Sequence, residues 1–294
     1  MNRPLSSLVC LRWHLEAGVD EAVGETPVDY YAVSARPPSV QTAQTAQTAL
    51  GAPSVPSVRI TPLPATQAPL GRVLPPAAPF AGAGLADAAV RTAAELAARC
   101  ATLEDLRAAI AGFDGCPVLK ASATQTVFAD GVPTAPVMVI GEAPGGEEDR
   151  QGLPFVGPSG RLLDRMLESI GLDRRSNCYI TNVVPWRPPV NRKPMPAEVG
   201  VLLPFLERHI VLAAPRILLL VGGLAASTVL AHNEGIMKLR GRWFEYSSGL
   251  PRPIPVIATF HPAYLLRSPA QKRFAWRDLL TLKQRLQALF GEQG

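Results

Sequence analysis

The chain has 294 residues, of which 47% are apolar and 18% charged, with a formal net charge of +5. That balance excludes a wholly disordered chain, which needs low hydrophobicity and high net charge, and no Gly-X-Y period marks a collagen. The 30 prolines and 24 glycines make up about 18% of the residues, above an ordinary ~12%, so part of the chain is expected to be linker or loop.

Residues 1–33 are read as a short N-terminal helical segment, because Leu, Trp and Val recur at roughly helical spacing between Leu8 and Ala22. Arg12 and Glu16 cut off the apolar run at Leu8–Leu11, so no secretory signal is expected. Residues 34–86 hold ten prolines, no acidic residue and the repeat QTAQTAQTA. Such a stretch cannot bury enough apolar surface to offset its ordering entropy and reads as a disordered linker. Residues 87–294 are patterned and globular. Helices are expected over 87–99 and 103–113, the second capped by Thr102. Four apolar runs, 137–140, 178–184, 217–221 and 254–260, then alternate with helical stretches at 159–170, 197–213, 224–232 and 270–290. Strands rich in Val, Ile and Leu alternating with helices imply an α/β fold with a parallel sheet covered on both faces. No stretch is long enough to cross a bilayer. The four cysteines, Cys10, Cys100, Cys116 and Cys178, form no CxxC pair, so neither a disulfide framework nor a zinc knuckle fits, and the cytoplasm is the default compartment.

In parallel sheets ligands bind beyond the carboxyl ends of the strands. Three of the four expected strand ends carry dense polar and proline-stiffened loops: GEAPGGEED with QGLPFVG, TNVVPWRPPVNRKP, and HPAYLLR. Glu142, between Gly141 and Gly145, is suited to hold a water or face a developing cation, or is a plain surface glutamate. Phe155 offers a stacking face for a planar ring, or plugs the core. Asn182 presents a donor and an acceptor side by side to a base edge, or caps its own turn. His261, aimed by Pro262, can donate to an anionic oxygen. Leu265, Leu266 and Arg267 have the composition of an apolar wedge beside a phosphate-binding cation, or of a helix start packing inward. Residues 236–286 carry a net +8, which suggests a polyanion such as nucleic acid or a solvated helix face.

Together these motifs, in this order across roughly residues 100–290, resemble the uracil-DNA glycosylase superfamily, most closely its family 4. The resemblance implies a three-layer α/β/α sandwich with a four-stranded parallel sheet, and a monofunctional hydrolase that flips uracil out of DNA and cleaves its N-glycosidic bond, starting base excision repair. It implies that Glu142 positions or activates water, that Phe155, Asn182 and Ala143 form the uracil pocket, and that His261 stabilises the departing base. Leu265, Leu266, Arg267 and Arg192 would contact DNA. Family 4 binds an iron–sulfur cluster through four cysteines. Here only Cys116 stands at a ligand position, the others being Leu119, Trp186 and Leu202, so no cofactor and no metal are expected. The histidine-bearing insert of relatives that trap DNA covalently is missing, so ordinary turnover is expected. The expected partner is uracil-containing DNA, with a monomeric protein and no membrane. Two alternatives stand beside this one: a binder of uracil or abasic DNA with little turnover, and a glycosylase for another deaminated base.

Overall fold

A computed structural model describes residues 81–291. The helical reading of residues 1–33 and the linker over residues 34–80 lie outside them. The first described helix, α1 (Ala81–Arg99), begins six residues before the expected boundary at 87. Next come α2 (Leu103–Gly112), α3 (Pro117–Ser122), β1 (Ala129–Gly131), β2 (Val137–Gly141), α4 (Gly146–Gln151) and α5 (Pro158–Glu168). They are followed by β3 (Cys178–Asn182), α6 (Pro196–Ala213), β4 (Ile217–Val221), α7 (Gly223–Leu230), α8 (Ile236–Leu239) and β5 (Trp243–Tyr246). The chain ends with β6 (Ile254–Thr259), α9 (Pro262–Arg267) and α10 (Lys272–Gly291). Thr102 caps α2 as expected: its side chain accepts from the Asp105 amide and the Asp105 carboxylate accepts from the Thr102 amide, each at 3.0 Å.

The sheet has six strands in the order β1-β3-β2-β4-β6-β5. Its four central strands are parallel, as expected, but β1 pairs antiparallel with β3 and β5 antiparallel with β6, so the sheet is mixed and two strands wider than expected. The added strands are three and four residues long and lack continuous apolar runs, which is what an edge position requires of a strand. Alternate residues of the central strands feed two core layers. Met138, Ile140, Leu218 and Leu220 face the layer shared with Leu106 and Ile110 of α2 and Leu202, Phe205 and Ile210 of α6. Val137, Val139, Ile217 and Leu219 face Leu163 and Leu167 of α5 and Leu279, Leu282 and Leu286 of α10. Strands buried on both faces explain the unbroken apolar runs in the sequence.

Among the parallel strands, the first in sequence (β2) lies between the second (β3) and the third (β4). The connections therefore leave β2 in opposite directions, and a crevice opens beyond the strand carboxyl ends at that switch. The loops after β2, β3 and β6 gather there.

Candidate active site

A cleft of about 530 Å³ occupies this place, lined by Glu142 and Ala143 after β2, Phe155 before α5, Asn182 at the end of β3, Arg192 and Lys193 beyond it, and His261, Tyr264 and Arg267 around α9. Four residues singled out in the sequence, Glu142, Phe155, Asn182 and His261, are thus brought to one cavity from four chain segments.

Local backbone chemistry sets each of them. Asn182 ends β3 with a side chain 6% exposed, and its Oδ1 has no hydrogen-bond partner among the described residues. Orphaned buried acceptors cost about 1–3 kcal/mol and call for an explanation, such as a ligand. Gly141 makes the crowding here possible, because a Cβ at that position would stand 2.4 Å from both Asn182 Oδ1 and the Phe155 ring. Phe155 itself is buried, with a left-handed backbone (φ 54°), which costs a non-glycine residue on the order of 1–3 kcal/mol. Two ions, a half-buried arginine and a buried glutamate, hold it there. Arg174, paired with Asp130 and Asp164, donates to the carbonyls of Pro154 and Phe155 at 3.1 and 2.8 Å. Glu148 accepts from the amides of Gly145, Val156 and Gly157 at 2.9–3.1 Å, fastening the Glu142 loop to the Phe155 loop. The Phe155 ring lies 5.6 Å from the His261 ring, tilted by 33°.

His261 is the N-cap of α9, and its Nδ1 accepts from the Ala263 amide at 3.1 Å. That bond leaves the ring proton on Nε2 in the neutral form. Burial, helped by the cation of Arg267, pushes the imidazole down to about 4, so it is neutral at physiological pH. Gly222, at φ 104° after β4, lets the ring come close, since a Cβ there would be 3.1 Å from the His261 Cβ. Glu142 is half-buried, and desolvation raises its carboxyl above the usual range, opposed by Lys193.

The DNA-facing trio is corrected in part. Leu265 is 1% exposed and packs with Phe260 and Ala275, because the HPAYLLR segment forms a helical turn, α9, whose inner face takes that leucine. It is not an exposed wedge residue. Leu266 is 45% exposed beside Arg267, which lines the cleft. Arg192 also lines the cleft, held by a two-pronged pair with Glu198 at 2.6 and 2.9 Å. Sequence reasoning missed Glu148, Arg174, Lys193 and Gly222. Acidic residues straight after a glycine turn are the one signal that could have singled out Glu148 as a loop tie.

The four positions compared with the cluster ligands lie apart from this cleft in the helical core layer. Cys116, Leu119, Trp186 and Leu202 are all buried there. The Cys116 thiol is pushed up to about 11 by burial, with Glu198 adding to the shift, and Trp186 Nε1 donates to Thr126 Oγ1 at 3.1 Å. One protonated thiol among two leucines and a satisfied indole does not fit an iron–sulfur cluster. Among the described residues, no group of three or more His, Cys, Asp or Glu side chains is placed to hold a metal ion, and no helix is long and apolar enough to cross a membrane.

The family model described as the uracil DNA glycosylase superfamily matches residues 128–280. The type-4 uracil-DNA glycosylase of Thermotoga maritima is 39% identical over 154 residues, covering 52% of this chain and 77% of its own. That of Sulfurisphaera tokodaii is 35% identical over 166 residues, covering 55% and 74%, and that of Pyrobaculum aerophilum 35% over 182 residues, covering 60% and 91%. The matched region contains every strand of the parallel sheet and every loop of the cleft. The chain belongs to the uracil-DNA glycosylase superfamily, closest to its family 4.

Proposed function

We propose that the chain is a monofunctional uracil-DNA glycosylase working from the cleft above the parallel strands. The observation that carries this reading is the buried Asn182 Oδ1, without a partner among the described residues, in a cleft also lined by the Phe155 ring and the neutral His261 imidazole. Uracil supplies what that atom lacks. Its N3–H donates to Asn182 Oδ1, its O4 accepts from the same amide, and its ring stacks on Phe155. A base inside a duplex cannot reach this cavity, so the nucleotide is flipped out, with Leu266 entering the gap and Arg267 and Arg192 meeting phosphates.

The chemistry follows from the surroundings of two groups. As the bond from C1′ to N1 breaks, its electron pair moves into the uracil ring and charge collects on O2. Neutral His261 donates Nε2–H toward that oxygen, in a site whose burial strengthens the bond. Positive charge grows on the sugar, and the Glu142 carboxylate faces it. Glu142 also takes a proton from the water whose oxygen bonds to C1′. Burial raises the carboxyl and so makes it a better base, while the cation of Lys193 opposes that rise and favours the ionised form.

No step needs a cofactor. We read the chain as carrying no iron–sulfur cluster, because of the apolar replacements around Cys116. Iron content and visible absorbance of protein purified without oxygen test that reading. The test of the activity is release of free uracil from a single-uracil oligonucleotide. Tight binding to uracil or abasic DNA without release would instead favour a damage-binding protein, and release of another deaminated base from a lesion panel would favour a different substrate.

A further inference from the structure

Val190 is the most exposed of the exposed large apolar side chains among the described residues, at 94%. It also has a left-handed backbone, φ 48° and ψ 28°, and Asn191 follows at φ 56°. Each fact is unfavourable by itself, and together they have no explanation in the fold. A β-branched side chain crowds its own carbonyl in that region, which glycine and asparagine enter far more easily. A valine that buries nothing earns no packing in return. Strain of this kind persists where the surroundings over-determine the backbone, and it gathers at functional sites.

The surroundings here do over-determine it. Pro188 and Pro189 fix the approach, and the Asn191 and Arg192 amides donate back to the carbonyls of Pro188 and Pro189 at 3.1 and 3.0 Å. Asn191 Oδ1 accepts from Arg187 Nε at 2.8 Å, the Arg187 carbonyl accepts from Ser122 Oγ at 2.7 Å, and Arg192 is clamped by Glu198. The turn is therefore rigid, and its tip is an apolar side chain presented to solvent. Its neighbours Pro188 and Asn191 line the cleft. Leu266 has the same placement on α9, exposed between cleft-lining Tyr264 and Arg267. Two exposed apolar tips thus stand on two different lips of one cavity, Leu266 followed by the cleft-lining Arg267 and Val190 two residues before the cleft-lining Arg192.

We infer that Val190 is a second apolar wedge for DNA, packing against the nucleotide that flanks the flipped base on the side away from Leu266. The inference rests on the reading of the cleft as a uracil site. Rigidity suits the task, since a tip that is ordered beforehand loses no conformational freedom on binding. Duplex DNA needs both tips, because its neighbouring bases must be held apart after one leaves the stack. A single strand, already open, needs them less.

The test is equilibrium binding of the full chain and its variants to a duplex with a tetrahydrofuran abasic site, and to the same strand unpaired. This measurement requires no turnover. Val190→Gly and Val190→Asn both suit a left-handed backbone, so both are expected to fold with a melting temperature equal to or above that of the parent. Both are expected to lose about tenfold in affinity for the abasic duplex, the size of one lost apolar contact, and less than about threefold for the single strand. Val190→Leu, which keeps an apolar tip, is expected to recover most of the duplex affinity. Equal losses on the two substrates, or no loss on the duplex, would overturn the inference. So would a parent chain that prefers the single strand, since a wedge then has no stack to enter. Uracil release by the parent, assayed separately, decides the cleft reading: no release with intact abasic-duplex binding would overturn that reading and leave the Val190 result to stand or fall by itself.

Discussion

Asn182 and Trp186 leave the same strand four residues apart and meet opposite surroundings. Asn182 faces a cavity with its carbonyl oxygen unpartnered among the described residues, next to a strained Phe155 and a histidine stripped of its charge. Trp186 is closed in on all sides, its one polar atom satisfied by Thr126, in the core layer that also holds Cys116, Leu119 and Leu202. The first region tolerates an unmet acceptor and backbone strain among the described residues, whereas around Trp186 the one polar side-chain atom is satisfied. Unmet demand inside a rigid frame is what a ligand-binding site looks like, and full satisfaction is what a structural site looks like. The same loop serves both, which explains why a motif read as one unit divides in the fold into a pocket half and a core half.

Substitutions that treat the two halves alike should separate them. The largest effect is expected for Asn182→Ala, which removes both hydrogen bonds proposed to the base and should lower uracil release on the order of a thousandfold with little change in melting temperature. Trp186→Ala should do the reverse. Loss of a buried indole destabilises by about 3–5 kcal/mol, or roughly 10 °C in melting temperature, while the fraction that stays folded should turn over nearly normally. Calorimetry beside a glycosylase assay on both variants checks the pair. If Trp186→Ala instead lost activity while keeping its melting temperature, the division of the loop would be wrong.

A smaller effect sharpens the cleft side. Burial raises the Glu142 carboxyl, so its ionised form is disfavoured in the folded state relative to the unfolded one. At neutral pH this charge lowers stability, and the penalty fades as pH falls through the raised value. Glu142→Gln should therefore melt higher than the parent at pH 7, with the difference shrinking in acid, while turnover falls about a hundredfold or more. The smallest effect is expected for Lys193→Met. Removing the cation that opposes burial should move the acid limb of the pH–rate profile upward, and Glu142→Gln should lack that limb.

Much of this division was legible in the residues, and the reasons for the misses are physical. The four parallel strands could be read because double burial forces unbroken Val, Ile and Leu runs; 217–221 matches β4 end to end. The edge strands β1 and β5 were missed because half-exposed segments of three and four residues have no such signature. Helix α4 was missed because GEEDRQ has no apolar face, its acids serving the helix N-terminus and the loop tie of Glu148 instead. Leu265 was misjudged because exposure depends on which way a six-residue helix turns, and composition does not fix that. Glu142, Phe155, Asn182 and His261 share one cleft in the fold: Glu142, Asn182 and His261 stand at or just past strand ends, and Phe155 lies in a proline- and glycine-stiffened loop beyond β2, all places where the sequence points to a site. Arg174 acts on the site by donating to the Pro154 and Phe155 carbonyls and Gly222 by the space it leaves, and neither carries a motif.

The central claim is that Asn182 is kept unsatisfied for uracil. The most direct test is release of free uracil from a single-uracil oligonucleotide by the parent chain and by Asn182→Ala, at matched folded fraction. Release by the parent and its near-total loss in the variant is the predicted result. No uracil from the parent at micromolar protein, or equal release from both, would contradict it.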